Sequence, residues 1–445
     1  MFLISTPYSY NYRNLVSGGL VARLLSEGAQ VVLVLPTALR PVAERDFESE
    51  ISCEQLRLIP TDMKYTVWEK LIHTLLAAWS FKLQFTGTYE HKASFLWQTD
   101  KTNWFKYRGL GILLPRSQLL FQYTKNALSF VLSRKKSHLF DDHPIKVALF
   151  THAHKYNESR LILECKEKKI NTVNYVHSWD VITTKGYFPH SCDMNFFWSS
   201  RNCDEFHRYV APNSENTKWE VVGPLQFDVY KDLRPHTLPL SQKKIISVLY
   251  CTSVPRLVPN EFEFVETLIT KLNSTSNIDV LLTVRVHPQA PLKEYIRLAN
   301  SLSEEPCVKF EFPGVKSNSV IDGVIFEADA LRDLATSLSA ADVVVSFASS
   351  VALDASAAGR VPVWLSANNW SSGCINEFYR YEHIQGAIND LGVLIATDVD
   401  QLIEIMGSCE IPGSTFKNRY ESSYFEVGGS LDKLINTLNL FTSRK

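Results

Sequence analysis

Residues 343–365, VVVSFASSVALDASAAGRVPVWL, constrain the fold of this 445-residue chain most. VVVSF and VPVWL are short, continuously apolar and rich in valine, the signature of strands buried on both faces. Between them VALDASAA reads as a short helix, with Ser350 placed to cap its start and Gly359 as the left-handed residue after its end. Strand, helix and strand in so few residues is one repeat of a parallel α/β sheet. A strand that feeds a helix through two hydroxyl residues also leaves backbone N–H groups and the positive end of the helix dipole facing outward. That arrangement is either a socket for an anion such as phosphate or an ordinary capped turn.

The same alternation runs along the chain in two series. The first opens with a strand at residues 2–5, a loop TPYSYNYRN, a helix over 15–27 stopped by Gly28, and a strand at 31–35. Further strands follow at 146–152, 171–176, 193–198 and 219–222, with a helix at 158–168. Ser17-Gly18-Gly19 is not the glycine fingerprint of a dinucleotide fold. Residues 234–244 (RPHTLPLSQKK) carry two prolines and no periodicity and read as a linker. The alternation then restarts with strands at 245–250, 280–286 and 308–312, helices near 261–272, 292–302 and 331–340, and the opening stretch. The expected architecture is α/β, with two Rossmann-like doubly wound lobes, 1–234 and 235–429, facing across a cleft. Residues 430–445, containing SLDKLINTLNL, are expected to form a helix that returns to the first lobe.

Composition sets the limits. Apolar residues make up 45% and charged residues 21%, as in folded globular proteins, and a net charge of −1 gives no reason to expect nucleic acid as a partner. Eight scattered cysteines without CxxC pairs, no signal-like leader and no apolar run of membrane length predict reduced thiols and a cytoplasmic protein, soluble or peripheral at the inner face of the cytoplasmic membrane. Residues 79–136 stand apart, interleaving Phe81, Trp97, Trp104 and Phe105 with Lys82, Lys101, Lys106 and Arg116. They read as a helical insertion whose aromatics form core, or as a basic amphipathic surface for an anionic acceptor or a membrane. The first reading is favoured because aromatic stripes are usually core.

Several constellations carry chemistry. Val284-Arg285-Val286-His287-Pro288 holds an imidazole on an extended turn at a strand's carboxyl end, because proline bars helix at His287. There it can donate to a phosphate oxygen or protonate a leaving phosphate. His287 followed in the same lobe by Ser349 and Ser350 is a stronger pattern than either alone. Thr252 and Ser253, after the lobe's first strand with Arg256 behind them, add hydroxyls and free N–H groups, or form a simple turn. In the first lobe, NYVHSWDVITTKGY places His177, Trp179, Asp180 and Lys185 on one loop. Asp180 is the candidate base or nucleophile and Lys185 a candidate anion contact. Tyr8, Tyr10, Asn11, Tyr12 and Arg13 lie at the carboxyl end of the first strand, as ligand contacts or as a polar loop. Asp398-Val-Asp400 has the shape of a metal-binding DxD but reads better as a helix cap, and His152-Ala-His154 lacks further ligands. No metal and no cofactor are therefore expected.

With these residues assembled, the chain resembles the two-lobed GT-B glycosyltransferases of bacterial surface-polysaccharide synthesis. The resemblance is to the branch holding the CDP-glycerol glycerophosphotransferases and the CMP-sugar transferases for Kdo and sialic acid. It covers roughly 145–365 and rests on His177-Ser-Trp-Asp180 with Lys185-Gly186, Gly223-Pro with Phe227-Asp228, Arg285-Val-His287-Pro288, and Ser349-Ser350 with Asp354, Gly359 and Pro362. Two departures stand out. Ser178 follows His177 where the glycerophosphotransferases tend to carry glycine, and Ile321-Asp322-Gly323 is only a fragment of the sialyltransferase acidic motif. The resemblance implies a metal-independent transferase moving Kdo or another nonulosonate from a CMP-linked donor to a glycan or glycolipid acceptor in lipopolysaccharide or capsule synthesis. His287, Ser349 and Ser350 would contact the nucleotide phosphate with Thr252, Ser253 and Arg285 nearby, and Asp180 would serve as base or nucleophile. The alternatives are a CDP-glycerol or UDP-hexose transferase and a nucleotide-sugar 2-epimerase on the same fold.

Overall fold

A computed structural model describes residues 1–61, 66–83, 86–133, 139–140, 143–185, 188, 190–210, 217–255, 257–274, 279–317, 323–326, 329–366 and 375–442. The chain forms two compact units. The first gathers Met1–Gln226 with the terminal Gly429–Lys445, and the second gathers Phe227–Asn318 with Gly323–Gly428.

The first unit is built on a parallel sheet of seven strands: β1 (Phe2–Ser5), β2 (Val31–Leu35), β3 (Leu56–Pro60), β4 (Val147–Phe150), β5 (Asn171–Tyr175), β6 (Met194–Phe197) and β7 (Lys218–Val221). Their spatial order is β3-β2-β1-β4-β5-β6-β7, so the chain reverses direction across the sheet between β1 and β4. That reversal is the topological switch point where open α/β sheets bind ligands, because the loops there diverge and leave a crevice. β2 and β4 are buried at every residue, which explains their unbroken apolar runs. The helix expected over 15–27 is divided. A π-helical segment Tyr12–Ser17 is followed by Gly19 at φ +92 and then by helix Leu20–Ser26.

Between β3 and β4 lies the helical insertion, with helices Val67–Leu83, Gly87–Thr99 and Gln118–Ser133. Leu76, Trp79, Phe121 and Leu128 form its own small core. The Trp79 indole donates to the Pro115 carbonyl at 2.7 Å. Helix Ser430–Thr442 packs on helix Leu20–Ser26, and Lys433 pairs with Glu220 at 2.7 Å.

The second unit repeats the plan with β8 (Ile245–Cys251), β9 (Asp279–Arg285), β10 (Val308–Glu311), β13 (Val343–Ser346), β14 (Val361–Leu365) and β15 (Leu394–Ala396). All six are parallel, in the order β10-β9-β8-β13-β14-β15, and a separate antiparallel pair joins β11 (Val315–Lys316) to β12 (Val324–Ile325). Its switch point falls between β8 and β13. The repeat that opened the sequence reading is present as β13, helix Val351–Ala357 and β14, with Gly359 at φ +69. Gly359 must be glycine twice over, because Pro235 packs where a Cβ would point.

Residues 234–244 are not a free linker. His236 N–H donates to the Gly359 carbonyl at 3.2 Å, and the carboxylate of Asp342 holds both His236, at 2.6 Å, and Lys243. Burial opposes ionisation of Asp342, but those two partners win and depress its pKa to about 2. Phe227 and Tyr230, sequence neighbours of the Gly223-Pro turn, pack into the second unit, where the Tyr230 hydroxyl donates to Asp354 at 2.6 Å. Asp228 accepts from Gly428 N–H at 3.1 Å, tying together the points where the chain enters and leaves this unit.

Candidate functional site

In the first unit the loops leaving β1, β4 and β5 converge, because those three strands are adjacent. They deliver Tyr8 and Tyr10, His152 and His154, and His177. The His152 and His177 rings stack with centroids 3.8 Å apart, and His154 lies 5.0 Å from His152. Tyr8 covers His152 at 4.4 Å.

Hydrogen bonding fixes both stacked rings in one tautomer. A carbonyl can only accept, so His177 donates its Nδ1–H to the Thr151 carbonyl at 2.7 Å, and its Nε2 carries the lone pair. That Nε2 has no hydrogen-bond partner among the described residues. Thr151 gives its hydroxyl proton to the Ser5 carbonyl, so its oxygen accepts from His152 Nδ1–H at 3.1 Å. His152 Nε2 is then the acceptor for the Tyr10 hydroxyl at 2.7 Å.

Burial is the main force on these groups. It pulls His177 down to about 4 and His152 and His154 well below their ordinary value, so all three are neutral near pH 7. Lys155 is depressed to about 8 by burial and by the nearby charge of Lys185. Beneath the cluster, Glu158 accepts the His152 backbone N–H at 2.5 Å, and burial raises its carboxyl to about 7.

Asp180 lies beside this cluster, and its charge favours the protonated form of His177. Its carboxylate, however, is held by the Ser178 hydroxyl at 2.5 Å and the Thr184 hydroxyl at 3.1 Å at the start of helix Val181–Lys185. That geometry suits an orienting group more than a nucleophile. Lys185 ends the same helix, exposed. Other expected contacts move away from the strand ends. The Trp179 side chain is buried and its carbonyl accepts from Asn202. The Tyr12 hydroxyl is buried on Asp46 at 3.2 Å, and Arg13 donates to Asn14 at 3.0 Å. Gly186 and Tyr187 lie outside the described residues, as do Arg256, Ile321 and Asp322.

The second unit gathers a smaller set at its own switch point. His287, beyond β9, receives the Gln289 backbone N–H on Nδ1 at 3.1 Å, which places its proton on Nε2 as a donor. Burial lowers it to about 4, so it acts as a neutral donor and not as an imidazolium acid near pH 7. Thr252 accepts His287 N–H at 2.7 Å, and its own N–H goes to the Arg285 carbonyl. Ser253 N–H is taken by buried Glu261 at 2.7 Å, whose carboxyl burial raises to about 8. Thr252 and Ser253 therefore shape the loop, and their N–H groups are not free for a phosphate.

Arg285 is a correction of the same kind. Its guanidinium pairs with Glu311 at 2.7 Å and with the Ser337 hydroxyl, committed to packing. After β13, Ala348 takes φ +20, unusual for a residue with a Cβ. Tyr379 holds that kink, accepting Ala348 N–H at 3.3 Å and donating to the Leu365 carbonyl at 2.6 Å. The N–H groups of Ser349 and Ser350 have no acceptor among the described residues. Ser350 occupies the N-cap position without a capping side-chain bond, and the weak contact to Val351 N–H, 3.4 Å, comes from Ser349.

The carboxylates of the DxD-like pair are both engaged by protein groups. Asp398 caps helix Val399–Ser408 by accepting Gln401 N–H at 2.8 Å, and Asp400 pairs with Lys271 at 2.6 Å. Among the described residues no group of three or more His, Cys, Asp or Glu is arranged to hold a metal ion.

Sequence reasoning placed Tyr8 and Tyr10 among the possible ligand contacts beyond the first strand, and it set His152 and His154 aside as a metal-like pair without further ligands. The available signal was a histidine pair at a strand's carboxyl end, but the adjacency of β1 and β4 is not written in their neighbourhood. No family model matches the chain, and no curated protein matches it in sequence. Its fold does match solved structures along the whole length. S. aureus MnaA in complex with UDP is 8% identical, with a TM-score of 0.53 over 99% of this chain and 96% of that one. A putative UDP-N-acetylglucosamine 2-epimerase from Listeria monocytogenes is 9% identical, with a TM-score of 0.52 over 100% and 96%. Arabidopsis thaliana UGT89C1 complexed with UDP-L-rhamnose is 12% identical, with a TM-score of 0.50 over 99% and 98%. At such identities the likeness is one of fold: the chain has the two-unit α/β fold that these proteins share.

Proposed function

We propose that the protein is a glycosyltransferase using a nucleotide-activated sugar, with the second unit holding the nucleotide and the first deprotonating the acceptor. The observation that carries this reading is the opposite tautomers of the two strand-end histidines. His177 offers a lone pair on Nε2, and His287 offers a proton on Nε2. In transfer, an acceptor hydroxyl gives its proton to His177 Nε2 while its oxygen bonds to the anomeric carbon. The bond from that carbon to the phosphate oxygen breaks, and the departing electron pair stays with the nucleotide. Its charge is met by His287 Nε2–H and the N–H groups of Ser349 and Ser350. The charge of Asp180 favours a protonated His177, and Lys155 and Lys185 bias the first site towards anionic groups.

The donor suggested by the family resemblance is a CMP-linked nonulosonate such as CMP-Kdo, with a surface glycan or glycolipid as acceptor. The neutral donors His287, Ser349 and Ser350 suit a single phosphodiester. A second reading, UDP-sugar transfer or 2-epimerisation, is favoured by the whole-length fold likeness to proteins described with UDP or as UDP-N-acetylglucosamine 2-epimerases. Thermal shift with CMP, CDP and UDP separates the donors, since a ligand bound only by the folded state raises its stability by about 2.7 kcal/mol at 100 times its Kd. Stabilisation by CMP alone supports the first reading, and stabilisation by UDP alone overturns it. His177→Ala is expected to lower transfer by roughly 10²–10⁴-fold while keeping the nucleotide-induced shift. His287→Ala is expected to lose both. Turnover of a UDP-sugar without any acceptor would establish the epimerase.

A further inference from the structure

Most of the exposed large apolar side chains among the described residues lie between Val67 and Val131, and the others are scattered. Trp68 is 70% exposed, Leu113 77%, Leu119 81% and Tyr123 80%, with Leu120 and Phe130 also open. Helix Gln118–Ser133 explains the grouping. Leu120, Tyr123, Ala127 and Phe130 recur at three- and four-residue spacing along one exposed face, whereas Phe121 and Leu128 turn into the insertion's core. An amphipathic helix normally hides its only apolar stripe; this one buries one stripe and presents a second to solvent.

Charge identifies what covers that stripe. Residues 101–140 contain Lys101, Lys106, Arg108, Arg116, Lys125, Arg134, Lys135 and Lys136 and no aspartate or glutamate, in a chain whose net charge is −1. Lys101, Lys106, Arg108 and Arg116 are exposed. Bulky apolar side chains interleaved with basic ones match the interface of an anionic bilayer, where apolar groups enter the acyl boundary and cations meet lipid phosphates. Among the described residues no helix is long and apolar enough to cross a membrane.

The insertion is also fastened to the first unit's candidate site. Lys92 donates to the Thr184 carbonyl at 2.7 Å and Thr86 to that of Thr183 at 3.4 Å, so helix Gly87–Thr99 abuts the helix that follows Asp180. We propose that the exposed face of residues 110–131, with its flanking lysines and arginines, docks on an anionic lipid bilayer and lies over its surface without spanning it.

The test is co-sedimentation of the full chain with phosphatidylglycerol-containing vesicles and with pure phosphatidylcholine vesicles, at low and high salt. The native chain is expected to pellet with the anionic vesicles and to be released by salt. Lys106→Glu/Arg108→Glu/Arg116→Glu is expected to weaken partitioning on the order of 100-fold, at the affinity each surface cation contributes. Leu113→Ser/Leu119→Ser/Leu120→Ser/Tyr123→Ser is expected to lower it at least about tenfold with an unchanged melting temperature, since the lost side chains are solvent-facing. Equal binding to neutral vesicles, or equal pelleting by both variants, overturns the proposal. So does a native dimer that the serine variant splits without any vesicle binding, which would make a second copy of the chain the occupant. Nucleotide-induced stabilisation is read separately, so failure here leaves the transferase reading standing on its own test.

Discussion

Replacing Glu261 by glutamine should remove a pH dependence built into the second unit. The carboxyl is buried, receives the Tyr250 hydroxyl at 3.0 Å and Ser253 N–H at 2.7 Å, and is raised from 4.5 to about 8 by burial. The sign follows from which state holds the proton. Above pH 4.5 the unfolded chain releases it, whereas the folded chain keeps it until about pH 8. The stabilisation is therefore complete below pH 4.5, declines by about 1.4 kcal/mol for each pH unit, and is lost as pH rises through about 8. Between pH 5 and pH 8 this amounts to roughly 4 kcal/mol. Glutamine has the shape of the protonated acid, can still accept Ser253 N–H, and does not titrate. Glu261→Gln should thus gain on the native protein by about 4 kcal/mol over that interval, or roughly 10 °C in the melting transition of a unit this size. Scanning calorimetry of both proteins at half-unit steps from pH 5 to 8 measures it. Parallel melting curves against pH would refute the argument, because they would mean that Glu261 ionises alike in the folded and unfolded states.

Two further outcomes test the assignments around the second sheet. Arg285→Ala should destabilise by about 3 kcal/mol in denaturant unfolding, by leaving Glu311 without its guanidinium, while the nucleotide-induced thermal shift stays intact; loss of nucleotide binding with normal stability would return Arg285 to the donor site. Gly413→Ala should cost roughly 2–4 kcal/mol, because its Cβ would overlap the Gly359 carbonyl oxygen and the backbone there cannot yield; an unchanged melting temperature would contradict that close approach.

Much of the sheet was legible because buried parallel strands write themselves as continuous apolar runs. β1, β2 and the β13–β14 repeat fall where the pattern places them. β3 and β15 escaped because half-buried edge strands such as LRLIP and LIA carry little contrast with their surroundings. Local chemistry also misled in consistent ways. Arg285 is the last residue of β9, and whether its side chain reaches a ligand or Glu311 depends on β10, a partner distant in sequence. Tyr8, Tyr10, Tyr12 and Arg13 are equivalent in sequence as one loop beyond the first strand, yet the π-helical turn at 12–17 directs Tyr12 and Arg13 elsewhere and leaves Tyr8 and Tyr10 at the histidines. His152 and His177 meet only because β4 and β5 are neighbours. The insertion shows the limit from the other side. Of its aromatics Phe81 is buried while Trp97 and Phe105 stand open to solvent, and exposure alone distinguishes Trp79 inside from Tyr123 outside.

The imidazole stack of the first unit has a capacity of one. His152 and His177 lie face to face at 3.8 Å in a buried place, and after burial itself it is the charge of His177 that most depresses His152. Two protons so close would repel too strongly to coexist. Both Nδ1 atoms of this pair are already committed as donors, and Tyr10 occupies the remaining nitrogen of His152, so of these two rings only Nε2 of His177 has a vacant seat. A proton taken there must be handed off before another can be accepted, and it must leave by the same atom through which it came. In the proposed transfer this pair of rings therefore takes up one proton at a time, the charge of the first opposing the second.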